Sequence, residues 1–157
     1  MLEQRYFRDI LGQFTTGVVL VTTQTPRGFT GMAFNSFTSV SLNPPLVALC
    51  AAHTSSTWPN IREAGRFAVS ILGAGQEQLC HTFSTHGAER FTGHDWERTH
   101  DGHPVPADAL GWLDCRIETI YQAGDHELVV AEAVEGAVTD NGDPLVFHGG
   151  RITALPA

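Results

Sequence analysis

Between two runs of β-branched and apolar residues, positions 31–41 read Gly-Met-Ala-Phe-Asn-Ser-Phe-Thr-Ser-Val-Ser. That is dense in small hydroxyl and amide groups for a segment placed between buried strands. Such groups, with backbone N–H donors, suit an edge-on match to a planar heterocycle bearing carbonyls and ring nitrogens. A polar strand whose hydroxyls are satisfied by nearby backbone is the plainer alternative. Further along, Thr54-Ser55-Ser56-Thr57 stands at an expected helix start. Free N–H groups and hydroxyls there make a phosphate site, and simple N-capping would account for the same residues. A third candidate is Gly124-Asp125-His126. A turn glycine followed by Asp and His can set an imidazole at the mouth of a pocket, oriented by the carboxylate. An ordinary surface turn reads the same way.

Other chemistries find little support. His81, His86, His94, His100 and His103 share one region with Asp95 and Asp101. They lack a His-x3-His helical pairing and a zinc-protease glutamate, so no metal site is expected. Cys50, Cys80 and Cys115 are far apart, odd in number and without a CxxC pair, which fits reduced thiols rather than a disulfide framework. Cys50 and Cys115 are expected in the core. A nucleophile elbow, a phosphate-loop lysine and a dinucleotide GxGxxG are missing, so a hydrolase, a P-loop enzyme and a Rossmann dehydrogenase fit poorly.

The elements that must position these residues are mostly strands. Tyr6, Phe7, Ile10, Leu11 and Phe14 recur at helical spacing and predict an amphipathic helix closing near Gly12 to Gly17. Val18–Thr23, Leu46–Ala51 and Phe67–Leu72 read as buried strands, and Pro26-Arg27-Gly28 as a turn into a second strand. Trp58–Gly65, with an early Pro and a terminal Gly, reads as a short helix, and Gln76–Phe83 as another. Residues 84–108 read as a long loop, which in a compact domain is functional or disordered. Three more strands follow, around Leu113–Tyr121, Leu128–Ala131 and Pro144–Phe147. Short helices among many tightly connected strands favour an antiparallel barrel.

At 157 residues the chain has the size of one domain, 1–157, with no internal repeat or linker. A formal net charge of −8 disfavours nucleic acid and anionic membrane as partners. No run approaches the roughly 20 apolar residues of a membrane span, and Met1–Tyr6 lacks the order of a signal peptide. A cytoplasmic location is the expectation.

The order of the motifs says more than any one of them. FTTGVVLVTT (14–23), GMAFNSFTSVSLNPPLVALC (31–50), FAVSIL (67–72), AGDHELVVAEAV (123–134) and PLVFHGGR (144–151) closely resemble the flavin reductase-like family, over about residues 6–155. Those are the NAD(P)H:flavin oxidoreductases that partner two-component monooxygenases. The resemblance implies a mainly β fold, a six-stranded antiparallel Greek-key split β-barrel with a few short helices. It also implies a homodimer, FMN or FAD as cofactor, NADH or NADPH as co-substrate, and a separate oxygenase component.

Residue by residue, the resemblance places flavin contacts on Ala33, Phe34, Asn35, Ser36, Phe37, Ser39 and Val40, and the flavin phosphate at Thr54, Ser55 and Ser56. Phe83 and Ser84 fall near the remaining cofactor contacts. His126 falls where nicotinamide stacks on the flavin and is the candidate catalytic residue. His148, Gly149, Gly150 and Arg151 fall where some members contact the nicotinamide nucleotide. The family commonly shows Thr-Ala-Asn-Ser where this chain has Ala33-Phe34-Asn35-Ser36, which bears on ring-pocket shape and on FMN against FAD. Arg151 and Arg90 are the candidates for selecting a 2′-phosphate. The alternatives are a flavin-dependent oxidase or monooxygenase on the same barrel, or a non-catalytic flavin-binding module.

Overall fold

The computed structural model describes residues 1–87, 89–139 and 142–155. In chain order it contains helix α1 (Gln4–Leu11) and strands β1 (Thr16–Gly17), β2 (Val19–Thr25), β3 (Gly28–Phe34), β4 (Phe37–Leu42) and β5 (Pro45–Ala52). Helix α2 (Trp58–Ala64), strand β6 (Arg66–Ile71), a 3-10 turn at Ala74–Gln76 and helix α3 (Glu77–Ser84) come next. The chain finishes with β7 (Trp96–Arg98), β8 (Pro104–Pro106), β9 (Gly111–Ala123), β10 (His126–Val138), β11 (Leu145–His148) and β12 (Arg151–Ala154).

Strands β3-β2-β6-β9-β10-β5-β4 form one antiparallel sheet in that order. Its two edge strands, β3 and β4, are consecutive in the chain and joined only by Asn35 and Ser36. A link that short reaches roughly 10 Å between the flanking Cα atoms, so the sheet must curl until its edges meet. It does so without pairing β3 to β4, which makes the barrel split. The ladder has seven strands where the family resemblance led to an expectation of six, because the polar segment 31–41 breaks at Asn35-Ser36 into two strands.

Unbroken burial of Val19–Thr23 reflects two apolar layers, one on each face of the sheet. Inside the barrel Val19, Val21, Leu49, Phe67, Val69 and Val129 pack together, and α2 inserts Trp58 and Ile61 among them. On the outer side Leu20, Leu72, Leu79, Phe83 and Leu145 form a second cluster beneath α3 and β11. Cys115 is buried as expected, and burial pushes its thiol up to about 12. Cys50 is only half-buried. Helix α1 forms where expected but ends at Leu11, and none of its residues is buried.

The region 84–108 is not a bare loop, since β7 and β8 pair as a short hairpin. Its aromatic residues anchor it: Phe91 meets Phe83 and Trp96 at centroid distances of 5.0 Å each, and Arg98 stacks over Phe29 at 4.8 Å. The hairpin covers the outer face of β2 and β6, where the Thr22 hydroxyl donates to Pro104 O at 2.5 Å. His103 Nδ1 accepts from the Gln24 N–H at 3.1 Å.

Beneath this cover, Asp114 on β9 is 1% exposed. Among the described residues, both its carboxylate oxygens, Ser70 Oγ and His103 Nε2 are buried without a hydrogen-bond partner. Burial pushes the Asp114 carboxyl up, opposed in part by Thr99 and His103. Burial likewise pushes His103 down, opposed by Asp114 and Asp101.

A raised acid binds its proton more readily folded than unfolded. Stability is therefore lost as pH rises from the ordinary carboxylate value through the raised one. Asp114→Asn is expected to stabilise the protein at about pH 7 by on the order of 1 kcal/mol, the scale of an unpaired buried group. Urea titrations should show that gain shrinking toward about pH 4 as the wild-type carboxyl protonates.

Candidate functional site

The β4–β5 and β9–β10 hairpins carry their ends to one rim of the barrel. His126 lies opposite Ala52 on β5 and Ala123 on β9, while Phe37 lies opposite Leu49. Gly124, at φ +62°, takes the left-handed conformation that the tight β9–β10 turn needs, and so sets Asp125 and His126 at the rim. Asn35 and Ser36 stand outside the paired positions of both ladders. The Ser36 hydroxyl replaces a ladder partner, donating to Cys50 O at 3.0 Å and accepting from the Cys50 N–H at 3.1 Å.

At this rim opens a groove of about 870 Å³, well within the range of small-molecule sites. Its walls are apolar: Phe7 and Leu11 from α1, then Phe37, Leu49 and Phe147. Asn35, Ser36, Asp125 and His126 supply polar groups. Asp125 Oδ1 lies 2.7 Å from His126 Nδ1, and the bond and charge of His126 hold the Asp125 carboxyl below its ordinary value. Nε2 is therefore the imidazole nitrogen left for a ligand.

Of the residues singled out from sequence, Asn35, Ser36, Phe37, His126 and Gly150 line this groove together. Ala33 packs against the outer cluster. Phe34 is buried in the barrel core, edge-on to Trp58 at 6.4 Å, so its ring is spent on packing. Ser39 and Val40 are exposed farther along β4. Thr54, Ser55 and Ser56 follow β5 directly, with Thr54 and Ser56 exposed and Ser55 Oγ accepting the Trp58 N–H at 3.1 Å. Phe83 sits in the aromatic cluster, and the Ser84 hydroxyl donates to Cys80 O. His148, Gly149 and Arg151 are exposed on the β11–β12 hairpin, which is tied to the end of α1 by the Gly149 N–H donating to Gly12 O at 2.8 Å.

Two contributors escaped the sequence reading. One is the apolar face of α1, which walls the groove. The other is Arg90 as a neighbour of the Thr54–Thr57 segment. Its Nη1 donates to Gly31 O at 2.6 Å and to Thr57 Oγ1 at 3.1 Å, and Nη2 donates to Thr85 O at 3.1 Å. A Cβ on Gly31 would lie 2.8 Å from Thr22 Cγ2 and from Val21 O, so only glycine lets β3 run this close beneath Phe83. The available signal was faint: one arginine beside an aromatic, Arg90-Phe91, in a segment poor in basic residues.

A split antiparallel barrel with an apolar groove edged by amide, hydroxyl and imidazole groups defines a class of binder for planar aromatic cofactors. The hydroxyls at 54–57, with the Arg90 guanidinium on Thr57, lie outside the groove's lining. The chain belongs to the flavin reductase-like family, since residues 11–156 match the flavin reductase like domain. It is 46% identical over 148 residues to the FMN reductase (NADH) SmoA of Agrobacterium fabrum, covering 94% of this chain and 84% of that one. It is 34% identical over 154 residues to the flavin-dependent monooxygenase reductase subunit HsaB of Rhodococcus jostii, covering 98% and 79%. Among solved structures, the Streptomyces globisporus NADH:FAD oxidoreductase SgcE6 in complex with NAD and FAD fragments superposes with a TM-score of 0.92. The two are 34% identical, with 99% of this chain and 96% of that one covered.

Arg90 straps the segment after α3 to β3 and to the start of α2. Arg90→Ala is expected to destabilise the fold by about 1–3 kcal/mol in chemical denaturation, the scale of lost charge-assisted hydrogen bonds. Arg90→Lys should restore little, because an ammonium lacks the planar fork that reaches all three acceptors.

Proposed function

We propose that this protein is an NAD(P)H:flavin oxidoreductase that passes reduced FMN or FAD to a separate monooxygenase component. The observation that carries the reading is the meeting of Asn35, Ser36, Phe37 and His126 around one apolar groove, in a chain of this family. Relatives named as NADH-dependent reductases of FMN and of FAD support it.

The groove fits an isoalloxazine. Its apolar walls suit the ring faces, and the amide and hydroxyl groups of 35–36 suit the heteroatom edge. Backbone at Ala33 and Phe34, and the exposed Ser39 and Val40 on β4, extend this cradle. Thr54, Ser55 and Ser56 hold the phosphate, with Arg90 the nearby cation, and Phe83 and Ser84 back that end. When bound, flavin supplies the redox chemistry, receiving hydride at N5 from nicotinamide C4. The protein contributes alignment, holding the two rings in reacting geometry.

His126, fixed through Nδ1 by Asp125, presents Nε2 to the nicotinamide, and His148 to Arg151 line its approach. Arg90 is engaged by three oxygen acceptors, which leaves Arg151 as the exposed candidate for a 2′-phosphate. The two features that would favour a substrate-oxidising relative are otherwise accounted for, Phe34 in the core and the histidine-rich segment in a hairpin.

We place the whole of 1–157 in one flavin reductase-like domain acting as a homodimer in the cytoplasm. The exposed apolar residues Tyr6, Ile10 and Phe14 near α1, and Leu42 and Val138 at the far end of the sheet, support self-association. The three cysteines are free thiols, which supports a reducing compartment. No helix among the described residues is long and apolar enough to cross a membrane.

Anaerobic stopped-flow mixing with FMN or FAD and NADH or NADPH is expected to bleach the oxidised-flavin band near about 450 nm, continuing with excess free flavin. No bleaching with either nucleotide overturns the proposal. His126→Ala should lower kcat/KM for the nicotinamide nucleotide by about 10–100-fold, as loss of alignment does, while flavin affinity stays within about twofold. Unchanged steady-state rates would remove His126 from the mechanism.

A further inference from the structure

Along β10 successive side chains alternate between faces. His126 faces the groove, and Glu127 faces α2 instead. Glu127 is 6% exposed, an expensive place for a carboxylate unless its oxygens are taken. They are taken: Trp58 Nε1 donates to Oε2 at 2.6 Å, and Arg62 Nη1 donates to Oε1 at 2.5 Å. Burial pushes this carboxyl up, but the Trp58, Arg62 and Gln122 hydrogen bonds outweigh it and leave it below its ordinary value.

The two donors lie one helical turn apart on α2, so a single carboxylate fixes both the position and the rotation of that helix. The cross-strand partner of Glu127 is Gln122, whose Oε1 lies 2.8 Å from His53 Nε2. The segment between His53 and Trp58 is thus clamped at both ends, by Gln122 at one and Glu127 at the other. Inside the clamp the Ser55 hydroxyl accepts the Trp58 N–H. Phe34 and Phe67 pack edge-on against the Trp58 ring at 6.4 Å each. An apolar residue at 127 could fill the space, but it could not fix the orientation of Trp58 and Arg62.

We infer that Glu127 is a positioning residue for flavin binding, holding the Thr54–Ser56 hydroxyls in place for the flavin phosphate through Trp58 and Arg62. The inference rests on the reductase reading above. Glu127 does not line the groove that would take the rings, so its influence is expected at the phosphate end of the cofactor.

Steady-state reduction of FMN and of riboflavin, which has the same ring and no phosphate, separates this role from a general structural one. In Glu127→Leu the KM for FMN should rise about tenfold, the scale of one lost charged hydrogen-bond set. The KM for riboflavin and both kcat values should stay within about twofold. Glu127→Gln should show a smaller rise, because its carboxamide oxygen still accepts from Trp58.

If the KM values for FMN and riboflavin rise together, or kcat falls while both stay unchanged, the inference is wrong. Should Glu127→Leu fail to fold, Glu127→Gln and Arg62→Met carry the same comparison. Wild-type protein that reduces no flavin overturns the reductase reading itself. Wild-type protein with equal KM for FMN and riboflavin overturns the phosphate role of this segment and the inference with it.

Discussion

The joint between β3 and β4 constrains the whole molecule. Two residues, Asn35 and Ser36, connect strands that stand at opposite ends of a seven-stranded ladder. Backbone reach alone then forces the sheet to close on itself. A fully zipped barrel would bury every strand edge. Here the edges approach at the joint and diverge without pairing, so backbone groups at the seam are left for something other than the ladder. The Ser36 hydroxyl, bonded to both the N–H and the C=O of Cys50, ties the joint to β5. The groove opens beside that joint, between α1 and the β4-β5-β10 side of the sheet, and His126 borders it because β10 pairs with β5 at that same rim.

Two buried carboxylates show how differently one fold treats the same functional group. Glu127 receives hydrogen bonds from an indole and a guanidinium, and these offset its desolvation. Asp114, a neighbour of the hairpin that covers the outer face, has no bonded partner among the described residues, and burial pushes its carboxyl up. The satisfied acid lies between α2 and the strand that carries His126. The unsatisfied one lies under β7 and β8, on the far face of the sheet from the barrel core. The paired acid thus steadies the strand that borders the groove, and the unpaired one is left on the opposite face.

Much of this is legible in the sequence. Val18–Thr23 and Leu46–Ala51 are β-branched and apolar without a break, and Phe67–Leu72 is interrupted only by Ser70; a sheet covered on both faces accommodates such runs. Pro59 and Gly65 bracket α2 as start and stop signals should. What stayed hidden depends on tertiary contact. The break at Asn35-Ser36 is set by where the ladders end, which local propensity does not register. Phe34 looked like a change in ring-pocket shape, yet strand alternation turns it inward to Trp58. Arg90 is distant in sequence from Thr57, and only the aromatic anchoring of Phe91 brings its guanidinium there. The amphipathic pattern of α1 identified a helix but not the partner of its apolar face, since none of that face is buried within the chain.

The charge of the chain bears on how such a site lets go. With a formal net charge of −8, the protein has no broad positive field to hold a phosphorylated ligand. Arg90, whose guanidinium donates to the adjacent Thr57 hydroxyl, is already engaged by two carbonyls and that hydroxyl. On the reading proposed above, phosphate recognition falls to short-range hydrogen bonds, since surface charge acts over only roughly the 8 Å of a physiological Debye length. Reduction adds negative charge to a flavin that is already anionic at its phosphate. An acidic chain whose donors act only at short range offers that added charge no broad attraction.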